Sequence, residues 1–199
     1  MRYMYSSFSD LMADKEEGVH YRIRLVNRHS AVVVMAPHGG KIEPYTTDLA
    51  ELVAGQDLSF YSFLGCQPAR NLHELHVESH LYDEPQALAL VSAAQTVLAF
   101  HGEGTSDAQF LMVGGLHQEL RDSVLAVASD CGIEQRDASS GLQGRDPNNI
   151  CNRGRLRAGV QIEASRGLRD LLKADEDLRA QFVSGIRDVL VEFDGRNNT

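Results

Sequence analysis

Apolar residues fall along this chain in short blocks separated by polar turns. Residues 31–36 (AVVVMA) are apolar at every position, the pattern of a strand covered on both faces. Residues 19–26 read as a second strand, and the short polar turn Asn27-Arg28-His29-Ser30 between the two predicts a hairpin. Thr46 or Thr47 offers an N-cap to a helix that runs through Leu52 and Val53 and closes at Gly55. Residues 58–65 (LSFYSFLG) are strand-like and aromatic-rich, and residues 72–80 (LHELHVESH) alternate at period two, which predicts another strand. Pro85 suits the first turn of a helix ending near Gln95. Residues 96–100 and 110–113 are apolar strands, and Leu120, Val124 and Val127 mark an amphipathic helix over 117–129, with Gly132 just past its end. A long polar loop over 138–155 precedes a strand over 157–164. From Ser165 onward the chain reads as helical, with apolar faces built from Leu168, Leu171 and Leu172, then Phe182, Ile186, Val189 and Leu190. Strands alternating with helices predict an α/β fold, a three-layer αβα sandwich whose central sheet is mixed and mostly parallel, the hairpin supplying the antiparallel pair.

With 199 residues, 43% of them hydrophobic, the chain suits one domain over 1–199 with a sizeable core. No repeat or linker divides it. No apolar run approaches the roughly 18 residues that cross a bilayer, and MRYMYSSFSDLMADKEE lacks the pattern of a secretory leader, so a cytoplasmic location is expected, with release by lysis. Cys66, Cys131 and Cys151 are odd in number and have no CxxC spacing, which argues against a disulfide framework and a thiolate zinc site. The net charge of −9 argues against nucleic acid as the main partner. Between Arg145 and Arg169, however, six Arg face only Asp146 and Glu163, a local +4 that leaves −13 on the rest of the chain. Cations gathered in an acidic protein suit an anionic polymer or a small carboxylate ligand.

The informative polar residues lie where apolar strands end. His38 follows residues 31–36, His101 follows 96–100, and Glu163 closes the strand over 157–162. In open α/β sheets the carboxyl ends of strands are where ligands bind. Two imidazoles and one carboxylate make a zinc triad that leaves a position for water. Gly39-Gly40 permits a sharp turn that returns Glu43 to the ion held by His38 and His101, with Glu163 as the proton-accepting catalytic group. Glu103, in His101-Gly102-Glu103, is an alternative carboxylate. His73, His76 and His80 form a competing cluster, but on a strand His73 would point away from the other two. Within the polar loop, Arg145, Asn152 and Arg153 are the expected substrate-binding groups, because an Arg fork grips a carboxylate through two hydrogen bonds.

The segments HGGKIEP, LHELHVESHLYDEP, His101-Gly102, NICNRG and GVQIEAS, in this order over about residues 5 to 190, resemble the phage-type poly-γ-glutamate hydrolases. The resemblance implies a zinc amidohydrolase related in fold to carboxypeptidase A, with one Zn2+ on His38, Glu43 and His101. It further implies Glu163 as general base and Asn152-Arg153 as the pair that holds a substrate carboxylate. Four residues separate His38 from Glu43, whereas carboxypeptidases place two between the corresponding ligands, so carboxypeptidase specificity is not implied. The expected activity is cleavage of γ-glutamyl amide bonds by a monomer that engages neither membrane nor nucleic acid. The alternatives are a related zinc amidase or deacylase acting on a small acyl amino acid or acidic peptide, and a non-catalytic carboxylate-binding protein.

Overall fold

The structure, a computed structural model, describes residues 3–139 and 141–197. In chain order its elements are α1 (Phe8–Asp14), β1 (Tyr21–Val26), β2 (Val32–Gly40), α2 (Thr46–Ala54), β3 (Ser59–Gly65), α3 (Asn71–Glu74), α4 (Pro85–Ala93), β4 (Thr96–Glu103), β5 (Phe110–Gly115), α5 (Gln118–Asp130), β6 (Glu134–Gln135), a 3-10 turn (Ile150–Arg153), β7 (Val160–Ser165), α6 (Arg166–Ala174) and α7 (Glu176–Asn197).

The seven strands form one sheet in the order β1-β3-β2-β4-β7-β5-β6. β3, β2, β4 and β7 run parallel, while β1 pairs antiparallel with β3 and β5 antiparallel with β7. The expected hairpin of the first two strands therefore does not form, because β3 lies between them. β2 is buried from Val32 to Gly39 and needs a covered neighbour on each side, whereas in β1 exposed positions alternate with the buried Tyr21 and the half-buried Ile23 and Leu25, as in an edge strand. α2 supplies the crossover that a parallel β2–β3 pair requires. Residues 27–30 need only span about 10 Å, two strand spacings, to carry the chain past β3.

Alternate residues of the central strands feed two cores. Val32, Val34 and Ala36 pack with Leu98, Phe100 and Ile162 under α2, α5, α6 and α7. Val33 and Met35 pack with Tyr61, Phe63, Val97 and Ala99 against α1 and α4. These are the two helical layers of a three-layer αβα sandwich. In α7, Phe182, Ile186 and Leu190 recur at four-residue spacing and are all buried. No helix of the described residues is long and apolar enough to cross a membrane.

Residues 72–80 are not a strand. α3 takes the first of them, anchored by the Asn71 side chain, which accepts from Gln67 N at 3.0 Å and donates to Gln67 O at 2.9 Å. An irregular loop follows in which Leu75, His76 and Val77 are consecutively buried, a pattern that no period-two strand with one open face produces.

Candidate metal centre

β2, β4 and β7 are consecutive in the sheet, and their carboxyl ends bring His38, His101 and Glu163 to one place. His101 and Glu163 are register partners across β4 and β7, so their side chains leave the same face. All three are buried, at 1%, 2% and 5% exposure.

Glu43 joins them through the turn after β2. Its N–H donates to the His38 carbonyl at 2.9 Å, and the Glu43 carbonyl accepts from Thr46 Oγ at 2.8 Å, which fixes the turn at both ends. Gly40 adopts φ +62°, and at Gly39 a Cβ would lie 2.1 Å from Thr47 Oγ1. Gly40 is thus required by its left-handed backbone, and Gly39 by the side chains packed against it. The Glu43 carboxylate sits 3.2 Å from His38 Nδ1, 3.6 Å from His76 Nε2 and 3.7 Å from His101 Nδ1, and accepts from Gly102 N at 2.9 Å. Glu103 is directed elsewhere: its carboxylate accepts from Thr105 N and Thr105 Oγ1.

The donor atoms fit a zinc ion. A carbonyl only accepts, so the 2.7 Å contact of His38 Nε2 with Val77 O places the proton on Nε2 and a lone pair on Nδ1. His38 Nδ1 and His101 Nδ1 lie 3.1 Å apart. Tetrahedral zinc with bonds of about 2.0–2.1 Å keeps its donors about 3.3 Å apart; the 3.1 Å between the two imidazole nitrogens and the 3.2 Å from His38 Nδ1 to Glu43 Oε1 are close to this, while the other carboxylate oxygen, Oε2, lies 3.7 Å from His101 Nδ1. Buried His101 Nε2 and His76 Nδ1 have no partner, so neither ring is held by hydrogen bonds at both nitrogens.

His76 makes a second donor triple with His38 and Glu43, whose ligand atoms lie within 4.8 Å of one another. Ring planes separate the two triples. Imidazole lone pairs lie in the ring plane; His38 and His76 are stacked, with centroids 3.8 Å apart and planes at 26°, so their lone pairs run side by side rather than toward one point. His38 and His101 are tilted at 58°, which lets theirs converge. His76 is in turn covered by the Tyr3 ring at 3.8 Å. From the sequence, His76 is expected to belong with His73 and His80 rather than with the strand-end ligands. Those two lie away from the cluster, His80 beside Glu78 at 3.5 Å and His73 beside Arg70 at 3.5 Å. The LHELH spacing alone carries no signal that separates His76 from its neighbours.

Burial opposes charge on the Glu43 carboxylate, yet the facing imidazoles of His38 and His101 outweigh it and hold its pKa below the usual range. Burial lowers the pKa values of His76 and His101, which favours the neutral form of each ring. Glu163 is shifted the other way. Burial, followed by the negative charge of Glu43, pushes its carboxyl well above the ordinary range, against the opposing hydrogen bond from Gln161 Nε2 at 2.7 Å. Gln161 is itself fixed by Asn149 Nδ2 at 2.9 Å.

These groups floor a cleft of about 750 Å³ whose wall carries Arg145, Arg166 and Arg169. Arg145 is exposed, and Arg166 is paired with Asp170 at 2.8 Å. Asn152 and Arg153, expected as the carboxylate clamp, lie outside the cleft. Asn152 is fully buried and donates to the carbonyls of Gly144 and Asp146, while its own oxygen accepts from Leu116 N and Gly159 N. The Arg153 guanidinium donates to the carbonyls of Asn148, Tyr82 and His80. The pair ties the polar loop to the segment around residues 80–82, and its donors are already engaged.

Comparison with known proteins gives consistent matches. The sequence profile of the family described as poly-gamma-glutamate hydrolase matches residues 5–189. The SPbeta prophage-derived UPF0714 protein YoqZ of Bacillus subtilis (strain 168) is 33% identical over 163 residues, which cover 81% of this chain and 58% of that relative, less than two thirds of its length. The solved structure of a bacteriophage poly-gamma-glutamate hydrolase superposes with a TM-score of 0.90 at 29% identity, covering 98% of this chain and 99% of that one. The zinc-free structure of YndL superposes with a TM-score of 0.87 at 27% identity, covering 95% and 98%.

Proposed function

The chain belongs to the poly-gamma-glutamate hydrolase family, and from that premise we propose that it cleaves γ-glutamyl amide bonds of poly-γ-glutamate with one zinc ion held by His38, Glu43 and His101. The observation that carries this reading is the convergence of two tilted imidazoles and the Glu43 carboxylate beside the buried carboxyl of Glu163. The zinc-free designation of the YndL structure supports zinc as the ion. Zinc bound there supplies Lewis acidity at the scissile carbonyl and lowers the pKa of a water.

The protein's own groups do the rest. Gln161 holds Glu163 Oε1, which leaves Oε2 to take a proton and hand it to the departing amine nitrogen. A carboxyl shifted upward by burial suits that exchange, because its raised proton affinity lets it hold the proton between the two transfers. Every residue of a γ-linked glutamate chain carries a free α-carboxylate, and Arg145 at the cleft wall is the cation that orients one of them.

The test is incubation of protein purified without chelator with poly-γ-glutamate, following chain length by size-exclusion chromatography. The expected result is shortening that chelator stops and one equivalent of zinc restores. Unchanged chain length in the presence of zinc, or shortening that ignores the chelator, contradicts the proposal.

A further inference from the structure

One charged side chain of the cleft has no part in the mechanism above. Arg169 lies on α6, is 3% exposed, and has no carboxylate within ion-pair distance among the described residues. Its guanidinium is satisfied by backbone alone: Nε donates to Ala164 O at 3.2 Å, Nη1 to Pro44 O at 2.5 Å and Nη2 to Glu103 O at 2.9 Å. A buried guanidinium with no direct ion pair is costly, so a structural cross-link alone is a poor reason to keep one.

The identity of the three acceptors gives a better reason. Ala164 directly follows Glu163, Pro44 directly follows Glu43, and Glu103 is two positions beyond His101. These acceptors come from β7, the turn after β2, and the end of β4, segments far apart in the chain. One rigid planar fork therefore sets the distance between the carboxylate ligand, the imidazole ligand and the proton carrier. Its own position is fixed, since Leu168 and Leu172 anchor α6 in the core and Ser165 caps its first turn. Gly102, next to His101, is shaped to the same group: a Cβ there would stand 2.6 Å from the Arg169 Cζ.

We propose that Arg169 is a positioning residue that holds Glu43, His101 and Glu163 at their working separations; this rests on the zinc-hydrolase reading above. Lysine keeps the charge but loses the fork, reaching at most one or two of the acceptors without fixing their angles. Geometry at the site, rather than substrate capture, is what such a change disturbs.

The experiment measures Arg169→Lys and Arg169→Gln beside the wild-type protein. Zinc affinity is read by chelator competition, kcat and KM on poly-γ-glutamate, and folding by urea denaturation of the metal-free proteins. The expected result is zinc binding weakened about 10–100-fold, the size found when groups behind metal ligands are lost, with kcat down at least about 10-fold and KM changed by less than about 2-fold. If either folded variant keeps zinc affinity and kcat within about 2-fold of wild type, the positioning role is overturned. Loss of folding in both variants without zinc also overturns it, in favour of a general structural role. A wild-type protein that binds no zinc fails at the underlying reading instead, and removes the positioning role with it.

Discussion

The Glu43 carboxylate lies 3.2 Å from His38 Nδ1, although only the turn through Gly39 and Gly40 separates the two residues in the chain. The glycines make that return possible, and Gly39 has no room for a side chain: a Cβ would stand 2.1 Å from Thr47 Oγ1 and 2.4 Å from Ser62 Oγ. Gly39→Ala is expected to destabilise the fold by about 2–3 kcal/mol through overpacking and to lower zinc content by displacing Glu43. Urea denaturation and metal analysis check both. An unchanged midpoint with full zinc would mean that the turn has slack the packing does not suggest.

The ring planes predict different consequences for the two histidines that approach His38. His38→Ala and His101→Ala each remove a converging lone pair and are expected to leave less than a tenth of an equivalent of bound zinc at micromolar protein, a loss of about 3 kcal/mol or more in binding. His76→Ala removes a stacked ring and is expected to keep one equivalent with weakened affinity. Metal analysis after dialysis separates the cases. Zinc retained by His101→Ala but lost by His76→Ala would exchange their roles.

Glu163 makes two linked predictions. Glu163→Gln keeps the Gln161 contact in shape but cannot carry a proton, so zinc stays bound while turnover falls about 10²–10⁴-fold. In the metal-free protein the same substitution alters the pH dependence of stability. The folded pKa of Glu163 is raised above its unfolded value, so its contribution is fully present below about pH 4.3, the ordinary glutamate value, and is lost as pH rises through the raised folded value. Denaturation from pH 4 upward should show the variant gaining on wild type by at most about 1.4 kcal/mol per pH unit until the folded pKa is passed. A constant difference across pH would show that Glu163 is not held in an unfavourable environment.

Arg145 and Arg153 should separate binding from stability. Arg145 is exposed on the cleft wall, and Arg145→Ala is expected to raise KM for poly-γ-glutamate about 5–20-fold with kcat little changed, as loss of uniform binding does. Arg153→Ala breaks three hydrogen bonds to carbonyls and is expected to cost about 1–3 kcal/mol of stability, with KM unaffected in the folded protein. Kinetics alongside denaturation test the pair; a KM effect at Arg153 alone would restore it as the substrate clamp.

The central strands were legible in the sequence because apolar runs such as VVVMA are covered on both faces and leave few other readings. Their neighbours were less so. A polar four-residue turn between two strands reads as a hairpin, and nothing local reveals that β3, reached through α2, will take the place beside β2. The alternation in LHELHVESH misled because Leu72 is exposed and Leu75, His76 and Val77 are buried together, so its period reflects no sheet face. That error concealed His76, whose place beside His38 depends on a loop path fixed by Asn71 and Gln67. His38, His101 and Glu163 were visible as ionisable groups at strand ends, a position that topology converts into proximity. The NICNRG segment offers the opposite lesson: an arginine fork donates to carbonyls as readily as to carboxylates, and only the fold tells which it finds.

The most direct measurement is anomalous diffraction at the zinc edge from crystals grown with equimolar zinc. A single ion bonded to His38 Nδ1, Glu43 and His101, with the Glu163 carboxyl facing the remaining side, is the predicted result. A peak elsewhere, or an ion in the cleft that lacks His101 or lies remote from Glu163, would contradict the account.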